Sequence, residues 1–130
     1  MRDLIRVGLD NFAGWFEASD MKQYEAEGGK LVSTDEVSVA QAQSLLVSEH
    51  PFVLDARRKT EFTAGHLPGA VNIAHTRLLA RIQEVPKNRS VLVNCLSGGR
   101  SSLACSLLQK HGYQVANLAG GFNAWQQAKA

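Results

Sequence analysis

A cysteine ends an apolar run, and a glycine-containing loop follows it: Val91-Leu92-Val93-Asn94-Cys95-Leu96-Ser97-Gly98-Gly99-Arg100-Ser101-Ser102. The run reads as a buried strand, and a helical pattern opens at Gly98 or Gly99. A thiol at such a turn meets the backbone N–H groups of the loop and the positive end of a helix dipole. Both favour thiolate over thiol, and so does the charge on Arg100. An ordinary cysteine pKa near about 8.5 can fall to roughly 3.5–7.5 in these surroundings. Cys95 is therefore the candidate nucleophile. Arg100 is the candidate anion binder, through its planar fork. Leu96, Ser97, Gly98, Gly99 and Ser101 complete the candidate cradle. The two glycines suit a loop that aims its N–H groups inward. Ser97 and Ser101 offer hydroxyls to an adduct or a donor, although a helix cap is the stronger reading for Ser101.

Loop length narrows the chemistry. Four residues separate Cys95 from Arg100. Cysteine phosphatases use a similar cradle with one residue more, which leaves room for a tetrahedral phosphate. A tighter cradle suits a single sulfur atom carried on the cysteine, a persulfide. Asn94 also stands before the cysteine, where the related phosphatases carry a histidine.

Cys-x-x-Gly-x-Arg-Ser resembles the active-site loop of the rhodanese sulfurtransferases. Val53-Leu54-Asp55-Ala56-Arg57, Glu61-Phe62 and Gly65-His66-Leu67-Pro68-Gly69-Ala70-Val71-Asn72-Ile73 resemble the first signature of that family. Asn117-Leu118-Ala119-Gly120-Gly121-Phe122-Asn123-Ala124-Trp125 resembles its closing signature. The resemblance implies an α/β fold: an open five-stranded parallel sheet, helices on both faces, and Cys95 at the carboxyl edge. It also implies transfer of a sulfane sulfur from thiosulfate or a small persulfide, through a Cys95 persulfide, to a thiol or cyanide. The partners are then a small anionic donor and a thiol acceptor, with no metal and no organic cofactor. The loop departs from the mercaptopyruvate branch, so 3-mercaptopyruvate is a poor candidate. The alternative is a sulfur-carrying or regulatory module with little turnover of its own.

Asp55 and Arg57 read as a pair beneath or beside the loop, either a structural salt bridge or, through Arg57, a direct substrate contact. Glu61 reads as a supporting acceptor for loop groups or as a helix-surface residue. His66 reads as a structural hydrogen-bonder rather than an acid or base. His50, His75 and His111 are scattered, with no metal-ligand spacing. Cys105 is expected to be buried, well along the helix that follows the loop.

The elements that must position these residues alternate between strand and helix, as in a parallel sheet covered on both sides. Ser38-Val39-Ala40-Gln41 is a capping box that opens a helix through about Ser48. Phe52–Asp55 is a buried strand with Asp55 at its carboxyl end, where ligands collect in open α/β sheets. A short helix over 60–64, stopped by Gly65, a strand over 70–73 and a helix over 76–84 follow. After the central strand and its helix, capped by Gly112, come a last strand over 115–118 and a last helix over 122–129.

The chain has 130 residues, 45% hydrophobic and 20% charged, which fits one ordinary globular domain. No apolar run reaches membrane-spanning length, and the N-terminus lacks a signal-peptide core. Two cysteines make no disulfide framework, so a reducing cytoplasm is expected. The net charge of +2 hides an asymmetry: residues 1–49 hold four Lys/Arg against nine Asp/Glu, and residues 50–130 hold ten against three. The basic part contains the candidate site and favours anionic substrates. Arg57-Arg58-Lys59 is the only basic cluster and no aromatic residues alternate with it, which argues against nucleic acid.

Residues 1–30 are assigned to an N-terminal extension and 31–130 to the domain proper. Asn11-Phe12-Ala13-Gly14-Trp15-Phe16-Glu17-Ala18 matches 117–124 at five of eight positions. One reading makes the extension the tail of an upstream module, as in fusions of a metallo-β-lactamase-fold persulfide dioxygenase to rhodanese domains. The other makes it a short segment that packs on its own domain.

Overall fold

The structure is a computed structural model and describes residues 14–129. The chain divides into two units, Met1–Ser33 and Thr34–Ala130. In the first, α1 spans Asp20–Ala26. The Asp20 carboxylate accepts the Glu17 N–H ahead of it at 2.8 Å. Trp15 and Phe16 are exposed. The Asn11–Ala13 part of the internal echo lies outside the described residues. Its described remainder is not helical where the matching 121–124 segment is, since α1 opens only at Asp20.

The second unit is an α/β domain built on five parallel strands in the order β1-β5-β4-β2-β3. These are β1 Asp35–Val37, β2 Phe52–Asp55, β3 Val71–Asn72, β4 Val91–Asn94 and β5 Val115–Leu118. Three helices join them, α2 Val39–Ser48, α3 Lys59–Ala64 and α4 Gly99–Lys110, and α5 Gly121–Gln127 follows β5. The capping box opens α2 as its spacing predicts. The Gln41 N–H donates to Ser38 Oγ at 3.3 Å, and the Ser38 N–H donates to Gln41 Oε1 at 2.8 Å.

Side chains alternate across the pleat, so each central strand feeds two cores. Leu54, Val91, Val93 and Val115 face one side with Ala104, Cys105 and Leu108 of α4. Val53, Leu92 and Leu118 face the other with Ala42 of α2 and with Phe122 and Trp125 of α5. Helices cover both faces.

The segment after β3 corrects the expected helix over 76–84. It forms two 3₁₀ turns, His75–Arg77 and Leu79–Glu84, with a break at Arg81 (φ −119°). The tighter turns let Leu78 and Val85 both reach the core. The Tyr113 hydroxyl donates to the Ile82 carbonyl at 3.0 Å, beside the Val85 N–H at 3.1 Å, and the α-helical partner of that carbonyl would be Pro86, which has no N–H to give. β1 went unread in the sequence: it is three residues long, two of them acidic and exposed.

The order in which strands are added reverses between β2 and β4. The chain passes from β2 outward to β3, returns to β4, then goes the other way to β5. The carboxyl end of β4 is therefore the crevice where open α/β sheets hold ligands.

Candidate active site

The carboxyl edge of the sheet carries a row of buried polar residues. Register places Asp55 of β2 beside Asn94 of β4, and Val93 beside Asn117 of β5. Asp55, Asn94 and Asn117 are all buried. β4 delivers Cys95 one residue past its end, and Leu96–Gly98 turn the chain into α4. Gly98 is the N-cap with φ +113°, a conformation that side chains rarely adopt, and it aims its N–H back at the thiol.

The Gly98 N–H donates to Cys95 Sγ at 3.1 Å, and the Ser101 hydroxyl lies 3.3 Å from the same sulfur. Cys95 is 1% exposed, so its sulfur forms the floor of the loop, while Leu96, Ser97 and Gly99 line the rim. Burial alone would push the thiol pKa up. The Ser101 hydroxyl and the backbone N–H groups of Ser101, Gly98 and Ser97 outweigh it, and the net shift is downward. Cys105, on the same helix, shows the opposite case. It is fully buried, as expected, and burial pushes its thiol up to about 12.

Ser101 corrects the cap reading. Its hydroxyl lies 3.0 Å from the Gly98 carbonyl and faces the thiol, while the N-cap, Gly98, has no side chain. Asn117 was missed as a site residue. Its Nδ2 donates to the Gly98 carbonyl at 3.4 Å and to Glu36 Oε1 at 3.2 Å, which steadies the loop from β5. The available signal was its place at the head of the closing motif.

The final helix also supports the cradle. The Phe122 and Asn123 N–H groups donate to the Cys95 and Leu96 carbonyls at 2.8 and 3.0 Å. Orphan donors at the start of α5 thus pair with orphan acceptors of the loop. Gly121 makes this approach possible, because a Cβ there would lie 2.5 Å from the Cys95 carbonyl oxygen.

Of the two readings of Arg57, the salt bridge with Asp55 is the one the structure contains. Arg57 is 2% exposed. Its Nη2 meets Asp55 Oδ2 at 2.7 Å and the Gly65 carbonyl at 2.6 Å, and its Cζ lies 4.2 Å from the centre of the Phe122 ring. The pair ties β2, the end of α3 and α5 together. His66 stacks on Phe62 at 3.9 Å and donates from Nδ1 to the Phe62 carbonyl at 2.9 Å, the structural role expected of it.

Arg100 opens α4 and forms a fork-to-fork pair with Glu61 of α3, at 2.7 and 2.8 Å. That bond holds the Glu61 carboxyl down at about 2, and Glu61 in turn raises Arg100, with a smaller contribution from the Cys95 sulfur. Glu61 therefore meets the Arg100 side chain rather than the loop backbone. Among the described residues, no group of three or more His, Cys, Asp or Glu is arranged to hold a metal. No helix among them is long and apolar enough to cross a membrane.

Residues 38–128 match the rhodanese-like domain family, and the chain belongs to it. It is 38% identical over 85 residues to a sulfurtransferase of Allochromatium vinosum, covering 65% of this chain and 79% of that one. It is 32% identical over 91 residues to the thiosulfate sulfurtransferase GlpE of Tolumonas auensis, covering 69% and 86%. The fold is also similar to reduced Bacillus anthracis CoADR-RHD, with a TM-score of 0.68 at 23% identity over 95% of this chain; the match spans 25% of that longer chain.

Proposed function

We propose that the chain is a sulfurtransferase that moves a sulfane sulfur through a Cys95 persulfide. The carrying observation is the convergence of the Gly98 N–H and the Ser101 hydroxyl on one sulfur at the floor of a short loop. These donors favour the attacking thiolate and, after transfer, the persulfide anion, and they are in place before reaction. The buried position favours a slender donor that presents a terminal sulfur.

With thiosulfate, the Cys95 thiolate attacks the outer sulfur. The bond between the two thiosulfate sulfurs breaks, sulfite leaves with that electron pair, and Cys95 holds a persulfide anion. Cyanide then attacks the outer persulfide sulfur, thiocyanate departs and the thiolate returns. With a thiol acceptor the product is a new persulfide. No external oxidant or metal enters either step. The order of events requires ping-pong kinetics.

The second reading, a sulfur-carrying unit of a larger sulfide-metabolism protein, is favoured by the internal echo at Asn11–Ala18. Steady-state thiocyanate release decides between the two. Repeated turnover, with parallel double-reciprocal lines and loss of activity in Cys95→Ser, supports the enzyme. One loading of Cys95 without repeated turnover supports the carrier.

A further inference from the structure

Sulfur transfer leaves Glu61 without a role, yet its carboxylate occupies both terminal nitrogens of Arg100, Nη1 at 2.7 Å and Nη2 at 2.8 Å. That is the bidentate face an incoming oxyanion would otherwise use. The two side chains are 28% and 27% exposed, so the pair stands at the rim, partly screened from water. The other arginine of the site, Arg57, is matched by Asp55 at 2.7 Å. Both guanidinium charges are thus balanced by carboxylates. The donors left to an anion in the cradle are main-chain N–H groups and the Ser101 hydroxyl, which are dipoles rather than full charges.

Resting on the sulfur-transfer reading, we propose that Glu61 sets the charge selectivity of the cradle, disfavouring dianionic donors relative to singly charged sulfane-sulfur donors of similar size. The Arg100 bond keeps Glu61 ionised across the physiological range. A dianion must therefore either displace Glu61 from the fork or sit beside its negative charge. A monoanion meets half that repulsion. Glu61 acts through Arg100 and through its own field, and it touches no reacting atom.

The test compares thiosulfate with methanethiosulfonate, which carries a methyl group in place of one charged oxygen. Glu61→Gln removes the charge and keeps an oxygen for the Arg58 N–H, which Glu61 Oε2 accepts at 3.2 Å at the start of α3. The kcat/KM ratio of thiosulfate to methanethiosulfonate should rise about three- to tenfold at low ionic strength, and the gain should shrink with salt. Glu61→Asp, which keeps the charge, should stay near the original ratio. Glu61→Ala is the second neutral variant should Gln unsettle α3. An unchanged ratio, or an equal loss with both donors, overturns the proposal and leaves Glu61 as a clamp on Arg100. Alkylation of Cys95 gives a readout independent of turnover: the neutral variants should raise the rate with iodoacetate relative to iodoacetamide. If no donor loads Cys95 but this ratio rises, the sulfur-transfer reading fails and the charge role of Glu61 stands. If donors load and neither ratio moves, the charge role alone fails.

Discussion

The Ser101 hydroxyl sits 3.3 Å from the Cys95 sulfur and 3.0 Å from the Gly98 carbonyl, on the first turn of α4. Its single proton can go to either acceptor, and an ionised sulfur is the stronger of the two. Ser101→Ala removes the side-chain bond that contributes most to lowering the Cys95 pKa. The midpoint of the pH dependence of Cys95 alkylation should move up, and the rate below that midpoint should fall. Iodoacetamide kinetics across pH measure it. An unmoved midpoint would assign the lowered pKa to the backbone N–H groups alone.

The Asp55–Arg57 pair is buried on both sides, at 0% and 2% side-chain exposure. Arg57→Ala strands a buried carboxylate and should cost about 3–5 kcal/mol of stability. The double replacement Asp55→Leu, Arg57→Met should cost clearly less than Arg57→Ala alone, because it leaves no unpaired charge. Urea denaturation of the two variants measures the difference, and equal losses would show that the pair acts as packing only.

Much of this site is legible in the sequence because its chemistry is local. Cys95, the loop and α4 are contiguous, so a strand ending in a cysteine before Gly98-Gly99 announces a thiolate at a helix start. The Asp55–Arg57 pair spans only two residues and is equally readable. Arg100 and Glu61 lie 39 residues apart, and only the packing of α3 beside the loop joins them. The role of Ser101 depends on which way one hydroxyl turns, which spacing does not encode. The α5 donors pair with the Cys95 and Leu96 carbonyls across the sheet, and sequence pattern marks them only as two adjacent glycines before Phe122. The β1 strand escapes notice because an edge strand three residues long, with Asp35 and Glu36 exposed, has no apolar alternation.

Gly121 has φ +58°, and an added Cβ would meet backbone atoms of Cys95 and Leu96 at 2.5 and 2.8 Å. Gly112 has φ +82° and open space around it. Gly112→Ala should cost only the left-handed conformation, about 1–2 kcal/mol. Gly121→Ala adds a clash with rigid backbone and should cost at least about 3 kcal/mol. It should also change the alkylation rate of Cys95, which Gly112→Ala should leave alone. Equal thermal shifts would contradict the close approach of α5 to the loop.

The division after Ser33 leaves both cores and the whole cradle in the second unit. A chain shortened to begin near Thr34 should therefore keep its cooperative unfolding and the reactivity of Cys95, with at most a modest loss of stability. Thermal unfolding with an alkylation assay measures both. Insolubility or loss of reactivity would make the first unit an integral part of this fold.

Sulfur transfer at this site requires that Cys95 itself carry the sulfur. The full chain is incubated with thiosulfate, freed of excess reagent and weighed intact. A gain of one sulfur atom, about 32 Da, should appear, map to Cys95, disappear on addition of cyanide with release of thiocyanate, and be absent in Cys95→Ser. A chain that keeps its original mass with both thiosulfate and a small alkyl persulfide, or a sulfur that maps to Cys105, would contradict sulfur transfer through Cys95.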